Sequence, residues 1–313
     1  MICKTTSEAV GCYDFGNPDI AFIRHNENMT YKVTQGDKHY LLRIHKPTEG
    51  FDLAFLRMDK GAADLIAGEM KVLQYLSEHG DVTAQKVKRT IDGNAFAVLG
   101  DGAPVTALEW VEGETLDRIE MTEAIAREIG VMIGKMHSAF ERMPTQNRYW
   151  YDEALLSNMI DEASNALSLG HFGDRHTQIM VGTLSCIRDY LSIAKPRFVM
   201  VHSDLAKSNL VYHDKNVVPI DFSLCGYCLP EMDLASVFAH MDDDDLNQAI
   251  LRGYRQIQKS EPDAVGIEIC FSLQILLFLI TQHRKLAGES WVHDKLDEWC
   301  ERHFSPIRRT LDV

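Results

Sequence analysis

The amino-acid sequence predicts an α+β protein of two unequal lobes, a small antiparallel sheet with one helix followed by a larger, mainly helical part. Three observations lead there. Short apolar or alternating runs, separated by glycine-containing turns, gather in the first 110 residues. From about residue 122 onward the apolar period lengthens to that of helices. Within the helical part lies one further hairpin, Leu210-Val211-Tyr212 and Val217-Val218-Pro219-Ile220 around the turn His213-Asp214-Lys215-Asn216.

Taken in order, Thr30 to Thr34 and Tyr40 to Ile44 flank Gln35-Gly36-Asp37-Lys38, a hairpin signature. A helix follows from Lys60 to His79, with Gly80 at the C′ position as its stop. Within it Leu65, Glu69, Val72 and Leu76 recur at helical spacing, so a carboxylate interrupts the stripe that should face the sheet. Unpaired, it would cost several kcal/mol of desolvation, and strand position makes Arg43 its natural partner. The blander alternative is a glutamate snorkelling at the stripe edge. Two more strands, Ala95 to Leu99 and Val105 to Val111, surround Gly100-Asp101-Gly102-Ala103-Pro104. Composition turns acidic at Val111-Glu112-Gly113-Glu114, which sets the expected lobe boundary between 110 and 111.

The second lobe, 111–313, opens with a helix to Phe140 capped by Thr122, carrying Ile125, Ile129, Ile133 and Met136 inward and His137 at the stripe edge as a satisfied core histidine. A helical insert spans about 146–196, with Leu155, Met159, Ile160, Ile179, Met180, Leu184 and Ile187 inward and the aromatics of Tyr149-Trp150-Tyr151 read as packing. The apolar stretch Ile269 to Ile280, interrupted by Ser272 and Gln274, is read as a buried helix too short to span a bilayer. Cys225 and Cys228 have knuckle spacing but no second ligand pair, and Asp242 to Asp245 reads as a solvated helix start.

Composition narrows the class. At 313 residues, 45% hydrophobic and 25% charged, the chain matches an enzyme with a sizeable core. Its 46 acidic against 32 basic residues argue against a nucleic-acid or anionic-membrane partner. Seven scattered cysteines and an N-terminus without an apolar leader fit a cytoplasmic location. Residues 1–110 hold 15 acidic and 12 basic residues, and 111–313 the other 31 and 20, so an acceptor held by the second lobe is expected to be cationic.

The chemistry is written most plainly in His202-Ser203-Asp204-Leu205-Ala206-Lys207-Ser208-Asn209, followed by Ile220-Asp221-Phe222-Ser223. The pattern H-x-D-x-x-x-x-N plus D-F-x supplies what phosphoryl transfer needs: one carboxylate to orient an acceptor hydroxyl and take its proton, and hard oxygen ligands for magnesium. The hairpin between them would set Asn209 and Asp221 side by side. The same residues read blandly are turn and cap residues.

These motifs resemble the aminoglycoside phosphotransferase and choline kinase-like enzymes, which share the protein-kinase fold. The resemblance extends to Asn28-Met29-Thr30-Tyr31-Lys32-Val33, Leu42-Arg43-Ile44, Glu69, Glu109-Trp110-Val111-Glu112-Gly113, Gly134-Lys135-Met136-His137 and Met232-Asp233-Leu234-Ala235. It implies Asp204 as catalytic base, Asn209 and Asp221 as magnesium ligands, and Asn28 in the nucleotide loop. Arg43, oriented by Glu69, would hold phosphate oxygens, and backbone atoms from Glu109 to Val111 would receive adenine. Asp233 would be a structural brace. Ser203 and Ser223 stand where such enzymes commonly carry Gly; the loop 26–29 lacks the glycines of protein kinases and Arg43 replaces their lysine, both of which are frequent in the resembled family. The expectation is an ATP- and magnesium-dependent kinase of a small, amine-bearing alcohol of the aminoglycoside, choline or ethanolamine, or homoserine type. The alternative is a silent nucleotide-binding scaffold, which would be expected to lose one of Asp204, Asn209 and Asp221.

Overall fold

The computed structural model describes residues 4–48, 54–57, 60–241 and 243–311; Met1, Ile2, Cys3 and Asp242 lie outside them. The chain opens with α1 (Lys4–Gly11) and β1 (Asp19–His25), neither of which shows a clean period in the sequence. Helix α1 buries only Thr6 and Ala9, and β1 is an edge strand with Phe22 and Ile23 exposed. Then come β2 (Met29–Gln35), β3 (Lys38–Ile44), α2 (Ala54–Arg57), α3 (Ala62–His79), β4 (Ala97–Val98) and β5 (Pro104–Glu109). The five strands form one antiparallel sheet in the order β1-β2-β3-β5-β4. Gly36, at φ +58°, makes the β2–β3 turn that the sequence announces.

The larger part contains β6 (Glu114–Thr115), α4 (Glu123–Phe140), β7 (Tyr149–Trp150), α5 (Glu153–Ser168), α6 (Asp174–Ala194), β8 (Val199–Val201), β9 (Leu210–His213), β10 (Asn216–Pro219) and β11 (Gly226–Cys228). It closes with α7 (Glu231–Phe238), α8 (Asp244–Ile257), α9 (Ala264–Leu286), α10 (Ser290–Trp299) and α11 (Ser305–Leu311). Thr122 caps α4 through Oγ1, 3.3 Å from Ile125 N, and Asp243 caps α8 by accepting from Asp245 N and Leu246 N, so the acidic run is a helix start. Cys225 and Cys228 are buried around β11, where a Cβ on Gly226 would lie 2.6 Å from the Tyr149 carbonyl. Tyr149 and Tyr151 pack inward and Trp150 stacks on Tyr227, so this cluster is packing.

Three expectations change. Helix α3 is buried on more than its sheet side: Leu65 shares a core with Tyr149, Tyr151 and Leu155, while Ile66, Met70 and Leu73 share one with Leu108, Met132 and Phe222. Gly80 is extended, not left-handed. It ends α3 by donating its N–H to Leu76 O at 2.9 Å, at a spot where a Cβ would sit 2.7 Å from that oxygen. Helix α9 is also longer than its apolar run suggests, and among the described residues it alone is long and apolar enough to cross a membrane by length and composition. It lies in the core with α5 and α6, through Ile269, Leu273, Leu276 and Ile280. Its two polar interruptions have partners, Ser272 on His303 O and Gln274 on Ser203 O at 2.8 Å.

Candidate active site

The loop from His202 to Asn209 is pinned from beneath by α7. Asp233, fully buried, accepts from His202 N at 3.0 Å, Ser203 N at 2.8 Å and His137 Nε2 at 2.9 Å, and Ser236 Oγ accepts from Leu205 N at 2.8 Å. Asp233 is therefore the brace that the motif implies, and it is the acid partner that His137 could not be given from sequence. Tyr254 OH, 3.1 Å from His137 Nδ1, completes the imidazole's bonds, so His137 is a satisfied core histidine.

His202 locks the loop sideways. Its Nε2 donates to Ile220 O at 3.1 Å and its Nδ1 accepts from Asp204 N at 3.3 Å, which fixes the neutral tautomer. Burial lowers its pKa, in agreement with that assignment. Ser203 pays for this geometry with a left-handed backbone at φ +68°, a conformation that glycine adopts without a Cβ clash.

Asp204 and Asn209 meet directly. Asn209 Nδ2 donates to Asp204 Oδ2 at 2.9 Å and to Asp204 O at 3.0 Å, which turns its Oδ1 away from Asp204. Ladder pairing of β9 with β10, with Pro219 opposite Leu210, and the bond from Ile220 N to Asn209 O at 2.9 Å bring Asn209 beside the start of Asp221. Asp221 itself is left-handed, at φ +65°. Burial, reinforced by the Asp221 charge, pushes the Asp204 carboxyl up to about 7, against the opposing bond from Asn209. Asp221 takes the other direction: burial raises it, but Arg43 and Arg24 outweigh burial and hold it below the usual carboxylate range. Two acids in one cleft are thus driven apart, one toward holding a proton near neutrality and one toward permanent charge.

Arg43 sits on β3 opposite Thr30 and Thr106, and its buried guanidinium bonds Glu69 of α3 on one side and Asp221 Oδ1, at 3.1 Å, on the other. Glu69, Arg43 and Asp221 form one chain from helix through sheet to loop. Asn28 is buried in the turn joining β1 and β2, where its carbonyl accepts from Thr30 Oγ1 at 3.4 Å. In the connection after β5, the N–H groups of Glu109 and Trp110 are engaged by Lys86 O and His39 O at 2.8 and 2.9 Å. Any backbone donor to a base from these three residues therefore has to be Val111.

Three residues escape sequence reasoning. Arg148 is almost wholly buried and donates to four carbonyls, those of Leu65 at 2.5 Å, Cys225 at 2.9 Å, Phe222 at 3.1 Å and Ser223, thereby tying α3 to the loop after Asp221. Nothing in its neighbours' spacing marks it. Glu27 adds a carboxylate to the same cleft, pushed up to about 7 by burial and by Asp221, with Arg43 opposing. Arg24, on β1, reaches Asp221 Oδ2 at 3.3 Å.

The donor set suits a hard divalent ion only in part. Asp221 and Asn209 offer oxygens, yet among the described residues no three His, Cys, Asp or Glu side chains are grouped to hold a metal by themselves. Such a site needs oxygens from a second ligand, as magnesium sites that share substrate phosphates do.

Solved structures share the fold over nearly the whole chain. An amicoumacin kinase in complex with AMP-PNP and Ca2+ is 20% identical, with a TM-score of 0.75 over 98% of this chain and 92% of that one. A microcompartment-associated aminopropanol kinase is 19% identical, with a TM-score of 0.73 over 98% and 97%. Choline kinase from Cryptosporidium parvum Iowa II, at 14% identity, has a TM-score of 0.62 over 95% and 94%. No curated protein sequence matches the chain. The sequence model of one family, described as the phosphotransferase enzyme family, matches residues 19–265, a span that starts at β1, takes in every cleft residue described above and ends at the start of α9. The chain belongs to that phosphotransferase family, and its two-part α+β architecture is the protein-kinase-like one.

Proposed function

We propose that this phosphotransferase moves the γ-phosphate of ATP to a hydroxyl of a small, amine-bearing acceptor, with Asp204 as general base and Asp221 and Asn209 as ligands of a magnesium ion. One observation carries the reading: the Asn209 amide nitrogen bonds Asp204, which turns the amide oxygen away from that carboxylate, while the bond from Ile220 N to Asn209 O brings the same residue beside Asp221. Asp204, with its pKa near 7, is matched to taking a hydroxyl proton at neutral pH. Arg43, held by Glu69, presents a fixed cation to phosphate oxygens. Asp221 and Asn209 would hold the magnesium ion, which when bound would supply positive charge to offset that of the transferring phosphoryl group. Val111 and the carbonyls from Glu109 onward would receive the base.

The acceptor class rests on charge and on likeness. Residues 111–313 hold 31 acidic against 20 basic residues, which favours a cation. Aminopropanol and choline, named for two of the structural neighbours, each combine a hydroxyl with a nitrogen. The intact set of Asp204, Asn209 and Asp221 speaks against a silent scaffold. The test is magnesium-dependent ADP release across a panel of amino alcohols, aminoglycosides, sugars and neutral alcohols. Stimulation by an amine-bearing alcohol is expected. A best acceptor that is neutral or anionic would contradict the charge argument, and no stimulation by any alcohol would contradict the kinase reading.

A further inference from the structure

Arg24 is a cleft residue without a role in the scheme above, and its placement is unusual. It stands near the end of the edge strand β1, where pairing with β2 slips: Phe22 faces Tyr31 and Arg24 faces Thr30, so Ile23 is one residue too many. Such a bulge twists an edge strand and re-aims the next side chain, commonly beside an active site. The re-aimed chain is fixed at its root, because His25 Nε2 donates to Lys46 O at 2.9 Å and Asn26 O accepts from Thr48 N at 2.8 Å. Its side chain is half-exposed, at 55%, yet its guanidinium ends 3.3 Å from Asp221 Oδ2.

Asp221 therefore has an arginine on each oxygen, and the two are not equivalent. Arg43, on Oδ1, is 3% exposed and is held a second time by Glu69, so it cannot leave. Arg24, on Oδ2, is a long exposed side chain in an ion pair of the weakly held surface kind. If Asp221 is to give an oxygen to a divalent ion, Oδ2 is the one that can be released. A cation arriving there would remove the reason for Arg24 to stay, and the phosphates arriving with it would offer a planar guanidinium better partners than a single carboxylate oxygen.

We infer that Arg24 changes partners: it neutralises Asp221 in the empty cleft and holds phosphate oxygens of the nucleotide when the metal–nucleotide pair is bound. The inference rests on the reading of the cleft as a metal–nucleotide site. It makes Arg24 at once a competitor of the metal alone and a ligand of the metal–nucleotide complex. A purely structural residue would not act in opposite directions on the two.

The experiment measures two affinities for the wild type, Arg24→Ala and Arg24→Lys: that of Mg-AMP-PNP by calorimetry, and that of Mn2+ alone by electron paramagnetic resonance. Because a charged hydrogen bond is worth about 1.5 kcal/mol or more, Arg24→Ala is expected to weaken Mg-AMP-PNP about tenfold or beyond. Its affinity for Mn2+ without nucleotide is expected to rise, and Arg24→Lys, which keeps the charge without the fork, should lie between. An exposed edge-strand residue leaves the core intact, and unchanged thermal midpoints would verify that. Unchanged nucleotide affinity in Arg24→Ala, or loss of both affinities together, overturns the inference while leaving the kinase reading in place. A wild-type protein that binds no Mg-AMP-PNP overturns both.

Discussion

At the scale of single residues, the cleft is organised by charges that cannot be removed one at a time. Arg43 and Glu69 are both buried, and each is tolerable only because the other is present. Glu69→Gln leaves Arg43 with Asp221 alone and removes an anion from the centre of α3. It should cost about 3 kcal/mol of stability, read as a lower urea midpoint with an unchanged slope. A midpoint equal to wild type would mean that the pair contributes nothing to the fold. The pair was legible because an acid on an apolar stripe demands a cation, and Arg43 on the second hairpin strand was the nearest candidate. Asp204, Asn209 and Asp221 were legible as an ordered set, each residue type tied to one chemical task. Arg24, Glu27 and Arg148 were not. Arg24 depends on a bulge, Glu27 on the closeness of Asp221 in space, and Arg148 on carbonyls from segments more than 70 residues away in sequence.

At the scale of elements, the helical part is set by close approaches that composition alone does not reveal. Helices α4 and α8 touch backbone to backbone: a Cβ on Gly130 would lie 1.9 Å from Ile250 O, and one on Gly253 2.0 Å from Arg127 O. Gly130→Ala must push the helices apart, and should destabilise by about 2 kcal/mol or more despite the better helix propensity of alanine. A neutral or stabilising result by calorimetric unfolding would refute that packing. The α5–α9 joint carries a titratable lock, in which His283 Nε2 donates to Glu162 at 2.8 Å and His283 Nδ1 lies 2.7 Å from His171 Nδ1, with Arg284 also near Glu162. Burial lowers the His283 pKa below its ordinary 6.5 despite the Glu162 charge, so the folded state resists a proton that the unfolded state accepts. Stability should hold above pH 6.5 and fall as the pH drops below it, and His283→Gln should flatten that limb. An acid limb equally steep in the variant would locate the effect elsewhere. Helices with regular periods, such as α4, were legible nearly to their ends. The first helix, the edge strand and the full length of α9 were not, because exposure or uniform burial erases the period.

At the scale of the whole molecule, a sheet-bearing part and a helical part meet through the apolar faces of α3 and through polar contacts from Glu69 by way of Arg43 to Asp221 and from Arg148 to α3. A nucleotide bound there would touch both parts, and the loop carrying Asp204 lies clamped on α7. In the proposed reaction Asp204 serves the acceptor and not the nucleotide. The most direct measurement follows 31P NMR of ATP, magnesium and the best amine-bearing alcohol with wild type and with Asp204→Asn, alongside each protein's affinity for Mg-AMP-PNP. Wild type is expected to form phosphorylated acceptor one-for-one with ADP, and Asp204→Asn to transfer nothing at near-equal nucleotide affinity. ADP formed without phosphorylated acceptor, or an Asp204→Asn protein that transfers at near-normal rate, would contradict it.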